Sequence, residues 1–315
     1  MSAASSKLAE MIRATEAEIV RAEKMGLDFG SSVSTKLMAA SLHSRLSELQ
    51  ERFAVEADKE ELDICSYRII SDRNGRYPVS ALTSALSEFQ KFVSVLYESV
   101  TTDSPRRRSR LSANTLDRTT LDVAYSFAGS LGFMLTMPRD NVSVADSKLE
   151  AAVSAMFALA KADNSETVAE FAKRYGTAPV QIAHRWAKAH ADAGLSVDIE
   201  WKSGNQIVHH ALAQVSELQR LTDIIENAGE TAVQSLELVG QLIAGNISSK
   251  SFILDVDGER ISGKLHSDFG TSAGLDMSLG HVYRAVIRRE TTRLFATNRE
   301  KIINYLLVLN PIPKA

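Results

Sequence analysis

Residues 62–96 read LDICSYRIISDRNGRYPVSALTSALSEFQKFVSVL, and this stretch decides the fold class. It opens β-rich: Ile64, Tyr67, Ile69 and Ile70 crowd a run that is short and heavily branched or aromatic, which favours a strand. Asp72-Arg73-Asn74-Gly75 then breaks the run, because Asn and Gly accept turn conformations at low cost. Pro78 suits the first turn of a helix. Leu82, Leu86, Phe89, Phe92, Val93 and Leu96 give that helix a broad apolar face. A strand leading directly into a helix with so much apolar surface predicts a sheet with helices packed on it.

Working towards the C-terminus, a hairpin follows. Leu121, Val123, Tyr125 and Phe127 alternate with smaller or polar residues, Leu131, Phe133, Leu135 and Met137 do the same, and Ala128-Gly129-Ser130 is the turn between them. Three helices are expected next. Asp146 caps one running to about Ala162, Asn164 or Ser165 starts a second, and Thr177-Ala178-Pro179 opens a third that Gly194 stops. Leu195, Val197, Ile199 and Trp201 alternate as a fourth strand, and Ser203-Gly204-Asn205 leads into a last helix through Ile224, with Leu212, Val215, Leu218 and Leu221 on its face. Residues 62–227 therefore read as an α+β domain with a four-stranded sheet. From Val233 the pattern turns all-β. Five strands are expected, at Leu236–Ala244, Ser251–Val256, Arg260–His266, His281–Thr291 and Lys301–Leu309, with Asp257-Gly258 as a tight turn. Closing so small a sheet removes its edges, so residues 228–315 read as a five-stranded β-barrel, OB-like or SH3-like.

Towards the N-terminus, Leu8, Ile12, Thr15, Ile19 and Ala22 fall along one helical seam, and Leu42, Leu46, Leu49 and Phe53 along another. Gly26 and Gly30 bracket a break, and Ser31 or Ser32 can cap the second helix. Residues 1–61 thus read as a coiled-coil-like helical hairpin. Such a hairpin cannot bury its own faces alone. The seam Leu8, Ile12, Ile19, Leu42, Leu46, Leu49 and Phe53 is expected to pack on the body or on a second subunit, and a homo-oligomer is expected.

Charge and composition narrow the function. The net charge is −3 over 315 residues, with 36 basic and 39 acidic side chains, which leaves no global footprint for nucleic acid or an anionic membrane. The one cysteine, Cys65, cannot make an internal disulfide, and a reducing cytoplasm is the expected setting. Met1 to Lys24 mixes charged and apolar residues without a signal-peptide core, and no stretch has the length and apolarity of a membrane span.

The candidate sites are few. Asp255, Asp257 and Glu259 fail as a calcium loop, since the twelfth position is His266. His184 and His190 are six apart, and His209 and His210 are adjacent, so neither pair has the spacing of a helical metal site. No metal site, cofactor or catalytic residue is predicted. Two basic clusters remain, Arg106, Arg107, Arg108 and Arg110 in a linker, and Arg284, Arg288, Arg289, Arg293, Arg299 and Lys301 in the barrel. Either can serve a phosphate or an acidic partner, or be a solvated surface. Only Phe295 and Phe269 stand near the second cluster as stacking aromatics.

The strand with Asn74-Gly75, Tyr77-Pro78, Leu82, Leu86, Phe89 and Gln90, the hairpin residues Gly129 to Phe133, and the spacing Gly240, Phe252, Asp257-Gly258, Gly263, Gly280 and Tyr305 resemble a group of uncharacterised bacterial proteins. The resemblance spans most of residues 60–310. It implies a bacterial or phage origin, an α+β domain and a following five-stranded barrel, and it implies no activity. The expected function is a non-enzymatic interaction or scaffold protein in an intracellular complex. The alternative is a nucleic-acid-binding accessory protein that uses the barrel.

Overall fold

The structure is a computed structural model that describes all residues except 30–32, 73–74, 128–129, 140–146, 205, 268, 270–277 and 313–315. The expected caps Ser31, Ser32 and Asp146, and the turn residues Ala128 and Gly129, lie outside the described residues. Contacts divide the chain into two units, Met1–Glu226 and Asn227–Ala315.

In the first unit, α1 (Ala3–Phe29) and α2 (Val33–Lys59) form the hairpin. Their antiparallel arrangement is pinned at the base, where the Ser2 backbone N–H donates to the Glu60 carboxylate at 2.6 Å. The break expected between Gly26 and Gly30 comes late in that span: α1 runs through Gly26 to Phe29, and Gly30 lies outside the described residues. β1 (Leu62–Ser71) is the central strand of an antiparallel sheet ordered β2-β3-β1-β4-β5. β2 (Asp122–Phe127) and β3 (Leu131–Pro138) are the expected hairpin. On β1, Cys65 and Tyr67 lie opposite Leu135 and Phe133 of β3 and opposite Trp201 and Ile199 of β4 (Leu195–Ser203). That face is covered by α3 (Val79–Thr102) and α7 (Thr177–Ala193), with the Tyr67 ring 4.6 Å from Phe89. α5 (Lys148–Ala160, capped by Ser147) and α6 (Ser165–Tyr175, capped by Asn164) complete the helical layer.

Two elements correct the sequence reading. The sheet has five strands, not four, because residues 206–213 are β5 (Gln206–Ala213) and not the start of the last helix. Gly204 adopts φ +61°, which folds β5 back on β4, and the branched Ile207 and Val208 extend it. Helix α8 (Val215–Asn227) begins only afterwards, with Leu218, Leu221 and Ile225 buried, while Leu212 lies exposed on β5. The second element is α4 (Ala113–Thr119), capped by Ser112 inside what read as linker, too short to show a period.

The second unit is a closed barrel of β6 (Gly229–Asn246), β7 (Ser251–Val256), β8 (Glu259–Leu265), β9 (Val282–Leu294) and β10 (Glu300–Pro311). The cyclic order is β6-β7-β8-β10-β9, and β8 pairs with β10 in parallel. β6 is longer than expected and pairs with β9 from Gly229 opposite Leu294 to Gln241 opposite Val282. Tyr283, Ala285 and Ile287 point inward as the alternation required, packed with Phe252, Leu254 and Leu306. β10 is apolar on both faces, and a bulge between Leu306 and Val308 reconciles this: Leu306 and Leu309 both turn inside, and Val308 is left outside.

Candidate interaction surface

The seam residues of the hairpin are satisfied within the chain. Ile12, Ile19, Leu49 and Phe53 are buried, and Leu8, Leu42 and Leu46 are half-buried. At the base they meet the sheet face opposite the helical layer. Ile12, Leu49, Phe53 and Ala57 form one cluster with Ile64, Ala124 and Tyr125, and Phe53 meets Tyr125 edge-on at 5.3 Å. The body supplies this partner surface, so the seam is not a free interface.

Outward of Ile12 on α1 and of Leu46 on α2, none of the described residues joins that cluster. On the outer part of the seam Thr15, Ile19 and Ala22 of α1 are buried, and Thr35, Ala39 and Leu42 of α2 are half-buried. Other large apolar groups lie on the outside: Val33 is 76% exposed, Leu37 65% and Met38 51%, with Val20 and Met25 also exposed on α1. Val33 and Leu37 are four apart and share one face. Charge is sorted here as well. Residues 33–45 of α2 carry Lys36, His43 and Arg45 and no acid, while residues 16–25 of α1 carry Glu16, Glu18 and Glu23 against Arg21 and Lys24. The seam periodicity hid this surface, because it draws the eye to the residues that pack. The sequence signal was the off-seam Val33–Leu37 pair.

The hairpin base also arches over part of the sheet. It encloses a groove of about 1250 Å³, with Met11, Phe53, Phe127 and Met134 among its apolar walls and Lys202 and Glu200 of β4 at its polar side.

The basic clusters are dispersed. Arg106 is an anchor: its guanidinium meets the buried Glu98 at 3.4 Å, and its backbone bonds Tyr175 and Ala178. Burial raises the Glu98 carboxyl, but hydrogen bonds from Thr115 and Ser112 and the charge of Arg106 outweigh it and hold the group below the usual range. Arg107, Arg108 and Arg110 are exposed beside it. In the barrel, Arg284 faces Glu237 at 3.7 Å, Arg288 pairs with Glu290 at 2.8 Å, and Arg289 donates to Asn304. Arg293, Arg299 and Lys301 come together, exposed, around the β9–β10 turn, while Arg284 lies towards the other end of β9. Phe295 is buried and Phe269 packs on the barrel core, so neither is a stacking platform.

No family model, curated protein or solved structure matches the chain. The chemistry must be read from its own geometry.

The titratable side chains that invited a catalytic or metal reading have local partners. His184 meets Glu226 at 3.0 Å, and His210 meets Asp198 at 2.8 Å. His209 stacks on Phe157 and meets both Glu150 and Ser154 through one nitrogen, Nε2, which is not a triad arrangement. His190 is fully buried between the Tyr67 hydroxyl at 2.7 Å and the Leu195 carbonyl at 3.3 Å. Burial pushes the Cys65 thiol far above its ordinary range, which suits core filling. A further anchor went unnoticed in the sequence: Arg139 donates to Asp63 and Asp58 and to the Leu62 carbonyl, and the buried Asp63 also accepts from the Trp201 indole.

Proposed function

We propose that this is a non-enzymatic interaction protein that self-associates through the free end of its helical hairpin. The observation that carries the reading is the exposure of Val33, Leu37 and Met38 on one side of α2. Three large apolar groups grouped on an outlying helix favour burial against another helix. The sorted charge favours a second copy of the chain. His43 already meets Glu23 within the chain at 3.7 Å, and a two-fold pairing that sets Lys36 and Arg45 of α2 against Glu18 of α1 in the second copy joins opposite charges twice. Each helix of 27 residues is about 40 Å long, which gives room for an antiparallel four-helix contact. Light scattering coupled to gel filtration is the test. The wild type is expected at twice the 34.4 kDa of one chain, and Leu37→Glu/Met38→Glu at one. A wild type that runs as a single chain at about 50 µM, a concentration that populates micromolar dimers, refutes the reading.

The barrel supports a second reading. Its cyclic order places the strands first-second-third-fifth-fourth with a parallel third–fifth pair, and we read it as an OB-type barrel rather than an SH3-like one. OB folds hold oligonucleotides on the second and third strands and on the loops after the first and fourth. In those places stand Lys250, Arg260 and Lys264, and Arg293, Arg299 and Lys301. With Phe252, Phe295 and Phe269 turned to the core, the expected binding is weak and salt-sensitive. Titration of labelled single-stranded DNA and RNA at two salt concentrations decides it. Tight binding that survives physiological salt and is lost in Arg293→Ala/Arg299→Ala/Lys301→Ala would place nucleic acid first.

A further inference from the structure

Between the helical layer and the β4–β5 edge of the sheet lies a second cavity, of about 280 Å³. Its inner wall is Phe89 and Phe92 of α3, Met156 and Phe157 of α5, Trp186 of α7 and Ile199 of β4, all of them buried. At its rim stand Lys161, just past α5, and Arg220 on α8, both exposed. Glu217 is the only carboxylate among the described residues that line it, and it accepts a hydrogen bond from the Gln214 backbone N–H at the start of α8. His210, also on the rim, is held by Asp198 at 2.8 Å. Among the described residues neither Lys161 nor Arg220 has an ion-pair partner.

We infer that this cavity binds a medium-chain aliphatic carboxylate, with the chain among the aromatic walls and the head group between Lys161 and Arg220. Three considerations point the same way. The deep walls of Phe, Trp, Met and Ile offer dispersion contacts to an aliphatic chain, while the charged side chains among the lining residues belong to the rim. At the roughly 30 Å³ that one water-sized group occupies, the volume takes about nine or ten heavy atoms, the size of a decanoate chain rather than a lipid with two tails. The rim carries two cations to one carboxylate, and that carboxylate is already engaged at the helix start, so the field at the mouth favours an anionic head over a neutral or cationic one. The site is separate from the hairpin surface, and neither reading rests on the other.

The experiment is calorimetric titration of the full chain with decanoate, decanol and decyltrimethylammonium, each below its micelle-forming concentration. Decanoate is expected to bind one to one, roughly five- to ten-fold tighter than decanol, a preference of the size two partly exposed ion contacts supply. Lys161→Gln/Arg220→Gln is expected to erase that preference while decanol binding persists. Ala160→Phe, which places a ring in the cavity, is expected to abolish binding of all three, with circular dichroism as the check on folding. Should Ala160→Phe not fold, the rim variant decides alone, since both its positions are exposed. Three results would each overturn the inference. They are no saturable decanoate binding, equal affinity for decanoate and decanol in the wild type, and a preference unchanged in Lys161→Gln/Arg220→Gln.

Discussion

Lowering the pH from neutrality should weaken the first unit through one histidine. His190 is fully buried, and its neutral form is wired into a chain of hydrogen bonds. The Trp186 indole N–H donates to the Tyr67 oxygen at 2.8 Å, the Tyr67 hydroxyl donates to His190 Nε2 at 2.7 Å, and Nδ1–H donates to the Leu195 carbonyl. A second proton on the ring would set Nε2–H against a hydroxyl that has its own donor pointing there. Burial is the main cause that drives the imidazole from its ordinary 6.5 down to about 4, partly opposed by the Leu195 bond. The unfolded chain therefore binds a proton that the folded chain refuses. The contribution is fully present above pH 6.5 and is lost as pH falls from there towards 4. At 1.36 kcal/mol per pH unit, that window holds about 3 kcal/mol, a large share of the stability of a domain. Urea unfolding at half-unit steps between pH 4 and 7.5, for wild type and His190→Gln, measures it. Gln can accept from Tyr67 and cannot titrate, so the difference between the two curves isolates the histidine from carboxylates such as Glu98. Parallel curves, or a His190 ring that titrates near 6.5 by NMR in the folded protein, would refute the argument.

Two stability predictions test anchors that local sequence does not reveal. Asp63→Ala should cost about 3 kcal/mol by denaturant melt, because it takes the acceptor from the buried Trp201 indole and leaves the Arg139 guanidinium only Asp58 and the Leu62 carbonyl, whereas Asp58→Ala, at the exposed end of the same cluster, should cost under about 1 kcal/mol. Equal losses would mean that burial at Asp63 is not what counts. Gly176→Ala should cost at least about 2 kcal/mol and raise tryptic cleavage at Arg107 and Arg108: φ is +97°, and an added Cβ would sit 2.1 Å from the Arg106 backbone that Tyr175 and Ala178 hold. Unchanged stability would mean that the linker is not clamped there.

What sequence determined by itself is whatever follows from period and local chemistry. The alternation of Leu195 to Trp201 made β4, the capping groups Asn164 and Gly194 bounded their helices, and Asp257-Gly258 turned the β7–β8 hairpin, because these are settled within a few residues of backbone geometry. Where two periods fit the same letters, the local rule failed: Leu212 completes a helical row with Val215 and Leu218, yet it belongs to β5, since pairing with β4 outweighs a helical turn that would have started beside Gly204. Only the tertiary structure could decide which apolar groups remain unpartnered. Leu49 and Phe53 look like an interface and are core, because the open face of β1, β2 and β3 reaches them, while Val33 and Leu37 look incidental and are exposed. The cavity behind Phe92 and Trp186 had no sequence signal either. Its walls come from separated segments, and a gap between packed elements is a property of their spacing in three dimensions.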